Sequence, residues 1–164
     1  QSLLGLSKFL AKMISFFRGR DREAKFLDNM AFGAYGKAFD PRRTDFDWLS
    51  RDDAEVDKYI EDPRCGYVCS NGFYVELMSL LQDIWNLEHE KQIPTELPIY
   101  IIAGEEDPVS EKTATIKDLL DRYTAIGIQD LSHKFYPNAR HEVFNEINRD
   151  EVIEDVKNWI TNRI

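Results

Sequence analysis

Three acids in a row, Glu105, Glu106 and Asp107, end the stretch IYIIAGEED, in which an apolar run meets Gly104 and then charge. A second polar loop, YPNARHEVFNE, carries His141. A carboxylate oriented on an imidazole fixes its tautomer and stabilises its protonated form, which equips the histidine as a general base. In parallel sheets such groups gather on loops beyond the carboxyl ends of the strands. The chain order predicts Asp107 and His141 at matching ends of two adjacent strands. Pro108 holds Asp107 extended, and its short side chain is placed by that turn, whereas Glu105 and Glu106 read as solvated loop charges. Each residue also has a plainer reading: Asp107 as a helix cap just before Ser110, and His141 as a surface histidine on a loop. His89 in LEHEK and His133 within LSHKFYP have no acidic loop opposite them and read as structural.

The elements that must position these residues follow from periodicity. Residues 2–18 form an amphipathic pattern with Leu3, Leu6, Leu10, Met13 and Phe17 at three- and four-residue steps. A short helix is predicted over 24–30, and the glycine- and aromatic-rich stretch from Ala31 to Trp48 reads as irregular. Ser50 followed by Asp53 suggests a helix N-cap, with Asp62-Pro63 as the stop. Asn71 is the predicted cap of a stronger helix with Tyr74, Leu77, Met78, Leu81, Ile84 and Trp85 on one stripe. The linker QIPTELP then separates two kinds of chain. After it come the strand IYIIA, a helix capped by Ser110 and closed by Gly127, the strand LSHKFYP with Leu131, His133 and Phe135 on one side, and a last helix starting at Asn148 or Asp150. Strand, helix, strand, helix implies a parallel pair joined by a crossover. The fold class is therefore α/β in the final part, with a mostly helical region, residues 1–92, ahead of residues 93–164.

Composition limits the functions open to the chain. Its 164 residues are 43% hydrophobic and carry a formal charge of −9, enough apolar content for a core and the wrong sign for non-specific nucleic-acid binding. Residues 1–25 hold six basic and two acidic side chains, +4, leaving −13 for the remainder. The basic start suggests two uses for its apolar face, resting on anionic lipid or packing on protein, and the wide apolar arc favours packing. Lys8 and Lys12 interrupt any signal-peptide core, and no apolar run is long enough to span a bilayer. Cys65 and Cys69 are too few and too close for a disulfide framework and read as free thiols in a reducing cytoplasm. No histidine near them completes a zinc site, no acid spacing matches a calcium loop, and no glycine loop cradles phosphate. No metal or organic cofactor is expected.

Taken in order, WLSRDDAEVDKYIEDPRCGY and NGFY, then PIYIIAGEEDPV, then NARHEVFNE with its terminal helix, resemble the α/β-hydrolase fold, and most closely its monoglyceride-lipase and lysophospholipase-like branch, grouped with serine aminopeptidases. The resemblance covers nearly the whole chain. It implies that residues 1–92 are a helical cap or lid region and that residues 93–164 are the C-terminal strand-helix-strand-helix of the hydrolase sheet, an incomplete fold. It implies Asp107 as the triad acid, His141 as the general base, and a cap that shapes an apolar site for a long acyl chain.

One departure stands out. The family's nucleophile is a serine in G-x-S-x-G on a strained strand-to-helix turn, ahead of the acid in chain order. No such motif occurs here. GLSKF, residues 5–9, lacks the closing glycine and lies within a helical pattern. The expectation is a C-terminal piece of a longer hydrolase, also in keeping with a start at Gln1, whose missing N-terminal half carries the serine and the oxyanion donors. The intact protein would cleave a monoacylglycerol or lysophospholipid through an acyl-enzyme, and this chain alone would be inactive. Its first strand would expose an edge open to self-association. The rival expectation is a non-catalytic module, or a subunit that completes its sheet with another chain.

Overall fold

The computed structural model describes residues 2–84 and 86–164, with Ser2 and Leu3 described by backbone alone. The helices are α1 (Ser2–Arg18), α2 (Lys25–Phe32), α3 (Asp53–Glu61), α4 (Asn71–Ile84), α5 (Leu87–Glu90), α6 (Ala114–Ala125) and α7 (Arg149–Thr161). The strands are β1 (Ile99–Gly104) and β2 (Leu131–Tyr136), and single 3-10 turns occur at Gly36–Ala38 and Val143–Asn145. The elements fall into two compact units. One holds the residues up to Ala34 together with Gly66–Pro94, and the other holds Tyr35–Cys65 with Thr95–Ile164. No helix among the described residues is long and apolar enough to cross a membrane.

In the first unit α1 lies along α4. The buried contact is made by Ala11, with Ile14 beside it, against a core of Ala24, Leu27, Tyr74 and Val75. The predicted stripe is not the packed one. Leu6, Met13 and Phe17 are exposed, as are Phe9 and Phe16, and the side chain of Leu3 lies outside the described residues. A helix that is apolar on several sides gives periodicity no unique answer, and the small Ala11 is the side that lets two helix backbones approach. On α4, Tyr74 is buried as predicted, Ile84 is exposed, and Trp85 lies outside the described residues. The Tyr74 hydroxyl donates to Asp28 at 2.8 Å. Burial first, and then Asp28, push that phenol well above its ordinary range. Asn71 is the first residue of α4 rather than its cap. Ser70 Oγ accepts the Phe73 amide at 3.2 Å, and the Asn71 side chain donates to the Gly19 carbonyl.

The second unit is built on the parallel pair β1–β2, in register from Ile99↔Leu131 to Gly104↔Tyr136. Alternation sends one face to α7. Trp159 stacks on Tyr100 at 5.4 Å and donates to Ser132 at 2.7 Å, and Lys134 and Tyr136 both reach Asp155. Val152, Tyr136, Ala139 and Val143 form the core there, with Ile102 packed on them. Leu131, His133 and Phe135 share the opposite face, as predicted, on the side of α6, where Lys117 sits over the Phe135 ring. Gly127 closes α6 at φ 91°, with Ile128 N bonding to Tyr123 O and Gly127 N to Thr124 O. That is the hydrogen-bond pattern of a Schellman cap. Among the described residues β1 pairs with β2 alone.

Two predicted caps fail for a common reason. Asp52, not Ser50, caps α3 by accepting the Ala54 amide at 3.1 Å. Ser110 precedes a left-handed turn, Glu111, Lys112 and Thr113, so α6 starts only at Ala114. Both serines are buried, and each oxygen is taken by an amide ahead of the helix, Asp52 N for Ser50 and Thr113 N for Ser110, while each hydroxyl donates to a loop carbonyl, Asn145 O and Asp107 O. The last helix starts at Arg149, directly after Asn148, and the one-turn α5 is an addition to the predicted elements.

Candidate active site

The strand ends deliver the predicted pair to one place. Gly104, the last residue of β1, sits so close to the following loop that a Cβ there would collide with the carbonyls of Ala139 and Arg140. Two amides then extend the pairing beyond the strands, Glu105 N to Tyr136 O at 3.1 Å and Glu106 N to Ala139 O at 2.9 Å. Asp107 follows in a tight turn, with its amide on Gly104 O and its own carbonyl accepting Lys112 N at 2.9 Å. Its Oδ1 accepts the Val109 amide at 2.9 Å and lies 3.1 Å from His141 Nδ1. The carboxylate therefore caps its own turn and meets the imidazole with the same oxygen. Glu105 is exposed, and Glu106 reaches Lys112 at 2.6 Å across the surface.

Asp107 is 5% exposed. Burial works to raise its pKa, but the hydrogen bonds from His141 and from the Val109 amide outweigh it and hold the carboxyl below its ordinary range. His141 moves the other way. The Asp107 hydrogen bond raises it above the ordinary imidazole value, against burial, with smaller help from the Asp107 and Glu142 charges. With Nδ1 bound to Asp107, the tautomer that donates from Nδ1 leaves Nε2 as the acceptor. Among the described residues no side chain hydrogen-bonds Nε2, and the imidazole is partly exposed. A base oriented from behind and open in front can take a proton from an incoming hydroxyl.

The histidine loop is held by Trp48 and Leu49, where the stretch predicted as irregular meets the predicted helix start. His141 N donates to Trp48 O at 3.2 Å and Glu142 N to Leu49 O at 2.8 Å. The Trp48 ring lies 5.2 Å from the imidazole, tilted 44°, with the Tyr35 ring 5.2 Å beyond it. Burial first, then the Asp107 charge, raise the Tyr35 phenol. Arg140 donates to Asp47 O and Ser50 O and covers the Phe39 ring at 4.2 Å. Sequence reasoning missed Tyr35, Trp48, Arg51, Arg140 and Glu146. The aromatic DFDW was the signal open to it.

The other candidates stand apart. His89 is exposed and bonds to Asp83 O at 3.1 Å on its own segment. His133 is exposed on β2 and leans on Phe135 at 4.9 Å. Cys65 and Cys69 are free and half-buried, and burial pushes the Cys69 thiol up, away from the reactive thiolate. Among the described residues no group of three His, Cys, Asp or Glu side chains could hold a metal ion.

The family model described as serine aminopeptidase, S33, matches residues 6–148. A monoacylglycerol lipase of Mycolicibacterium smegmatis is 29% identical over 121 residues, 73% of this chain and 40% of that protein. A highly thermostable carboxyl esterase from Bacillus coagulans, solved in complex with glycerol, superposes with a TM-score of 0.86 at 22% identity, over 97% of this chain and 52% of that one. A monoacylglycerol lipase from Paleococcus ferrophilus gives 0.66 at 18% identity, over 96% and 52%. At such identities the structural likeness speaks for the fold. The chain spans about half the length of these relatives.

Proposed function

Since this chain belongs to the serine aminopeptidase S33 family and carries part of an α/β-hydrolase fold, we propose that it supplies the acid and the base of a serine hydrolase that cleaves carboxylic esters. The single observation behind this reading is the 3.1 Å contact between His141 Nδ1 and a buried Asp107 at the ends of adjacent parallel strands. The serine attacks the ester carbonyl while His141 Nε2 takes its proton. His141 then returns that proton to the leaving alcohol, and water repeats the sequence on the acyl-enzyme. Asp107 holds the imidazole in the donating tautomer and stabilises its charged form. The nucleophile lies outside these residues, before the acid in chain order, and the 164-residue chain alone is inactive.

Residues 1–92 serve as the cap and residues 93–164 as the end of the hydrolase core. The substrate is a monoacylglycerol or lysophospholipid. The name of the M. smegmatis relative supports the glyceride class, and the exposed Leu6, Phe9 and Met13 supply apolar surface for a cap. The edge of β1 that is unpaired among the described residues favours a second reading, a non-catalytic module that completes its sheet with another chain. A fluorophosphonate probe separates the two. It should leave the 164-residue chain unlabelled and label one serine, in G-x-S-x-G, of a chain extended upstream. An unlabelled extended chain supports the module, and labelling of the 164-residue chain, with Ser7 the first to check, overturns the placement of the nucleophile.

A further inference from the structure

We propose that residues 47–51, DWLSR, form a clamp that positions the His141 imidazole against Asp107, anchored by the ion pair between Arg51 and Glu146. The inference rests on the acid–base reading of Asp107 and His141. Glu146 is fully buried, and a buried carboxylate is costly unless its oxygens are satisfied. Here four donors converge on it: Arg51 Nε at 2.7 Å, Arg51 N at 3.2 Å, Arg140 N at 2.7 Å and Ile147 N at 3.2 Å. Arg140 is the residue before His141. The same carboxylate thus ties the peptide entering His141 to the peptide of Arg51.

The tie is repeated along both segments. Trp48 O and Leu49 O take the amides of His141 and Glu142. Ser50 Oγ donates to Asn145 O at 2.7 Å, and Arg51 Nη2 reaches Asn148 at 2.8 Å. Arg140 sends its guanidinium back to the carbonyls of Asp47 and Ser50. Burial disfavours the Arg140 charge, so those carbonyls compensate it. The Trp48 ring, tilted 44° to the imidazole at 5.2 Å, then limits its rotation. Asp107 fixes one ring atom, and the clamp fixes the backbone and the ring plane. Arg51 and Glu146 make no hydrogen bond to His141 or Asp107, so they act as positioning residues.

The test uses the double variant Arg51→Met/Glu146→Met, which keeps the net charge and roughly the packed volume and so avoids a lone buried charge. The charged groups that face the imidazole, Asp107 and Glu142, remain. In the 164-residue chain, the NMR signal of the His141 Nδ1 proton should be lost and the His141 titration midpoint should fall, with the circular dichroism spectrum unchanged. In an upstream-extended chain, kcat should drop about 10²-fold with KM moving far less, as expected of a base displaced by about 1 Å. If the double variant fails to fold, Trp48→Leu, which keeps every backbone bond of the clamp, is read by the same signals. A folded variant with the Nδ1 signal, midpoint and kcat of the parent overturns the clamp. An extended Asp107→Asn chain that turns over normally overturns the acid–base reading instead, and the clamp's catalytic role with it.

Discussion

Asp107→Asn removes one charge and little else. Oδ1 of Asp107 carries both the Val109 amide and the contact to His141 Nδ1. An asparagine oxygen can keep the Val109 bond, while Lys112 N on the Asp107 carbonyl and Glu106 N on Ala139 O hold the turn from the backbone. The loop should survive, at a cost of about 1.5–3 kcal/mol for a lost charge-assisted hydrogen bond. The chemistry should not. In serine hydrolases built on the same three groups, an amide in place of the carboxylate lowers kcat about 10⁴-fold, or about 5.4 kcal/mol at 1.36 per tenfold. Asp107 is 5% exposed, so water screens little of its effect on the imidazolium. Turnover within about tenfold of the parent enzyme, in an upstream-extended chain with an intact melt, would refute the assignment.

The pH dependence checks the same reasoning independently. His141 is raised above 6.5 chiefly by Asp107, against burial. Without the carboxylate only burial and the weaker Glu142 charge remain, so the midpoint should fall. The base works in its neutral form, so the acid limb of kcat/KM should move to lower pH in the variant. Stability has its own window. The raised His141 contributes fully below its unfolded value near 6.5 and loses that contribution as pH rises through its folded value. The lowered Asp107 contributes above 3.8 and loses its share as pH falls through its folded value. The stability deficit of Asp107→Asn should therefore be largest between about pH 4 and 6.5 and shrink on either side, a pattern that urea melts at three pH values would display or exclude.

Gly104→Ala should cost about 1–3 kcal/mol in urea melts, because the added methyl meets two backbone carbonyls that cannot give way. The His141 NMR signals should shift with it, and an unperturbed melt would mean that the loop is free to move. Glu105→Gln and Glu106→Gln should change turnover of the extended chain less than about twofold and stability by less than about 0.5 kcal/mol, since their charges are surface ones and exposed pairs such as Glu106–Lys112 contribute little. Damage exceeding that of Asp107→Asn would reassign the acid. The edge of β1 left open in the two-stranded sheet of the described residues should drive self-association of this chain. Light scattering at the mass of a monomer at high concentration, without hydrophobic-dye binding, would count against that.

The apolar run of β1, the alternation of β2 and the helical periods between and after them were legible because both strands feed a core through one face, Ile102 and Tyr136, and period two survives that geometry in β2. The meeting of Asp107 and His141 was legible because loops beyond the ends of adjacent parallel strands lie together. The buried side of α1 was not, since apolar residues surround that helix and only the small Ala11 marks the packed line. The caps at Ser50 and Ser110 misled because a serine oxygen that accepts an amide within the loop ahead of a helix looks, in sequence, like one that caps it. Least legible was the support of His141. Arg51 and Glu146 lie 95 residues apart, and a charge that is buried because of so distant a partner leaves no periodic mark.

The charge knot after β1 also has a physical account. Its first two acids act through their amides, which continue the parallel ladder onto Tyr136 O and Ala139 O, so their side chains are left to solvent and to Lys112. The ladder can continue only because Gly104 admits the carbonyls of the histidine loop. That extension carries the backbone to where the third acid turns inward, is buried, and meets the imidazole of a loop whose His141 and Glu142 amides bond to Trp48 O and Leu49 O. A glutamate at position 107 would add a methylene between that turn and the ring, and with it a rotatable bond at the one point where the geometry is tightest.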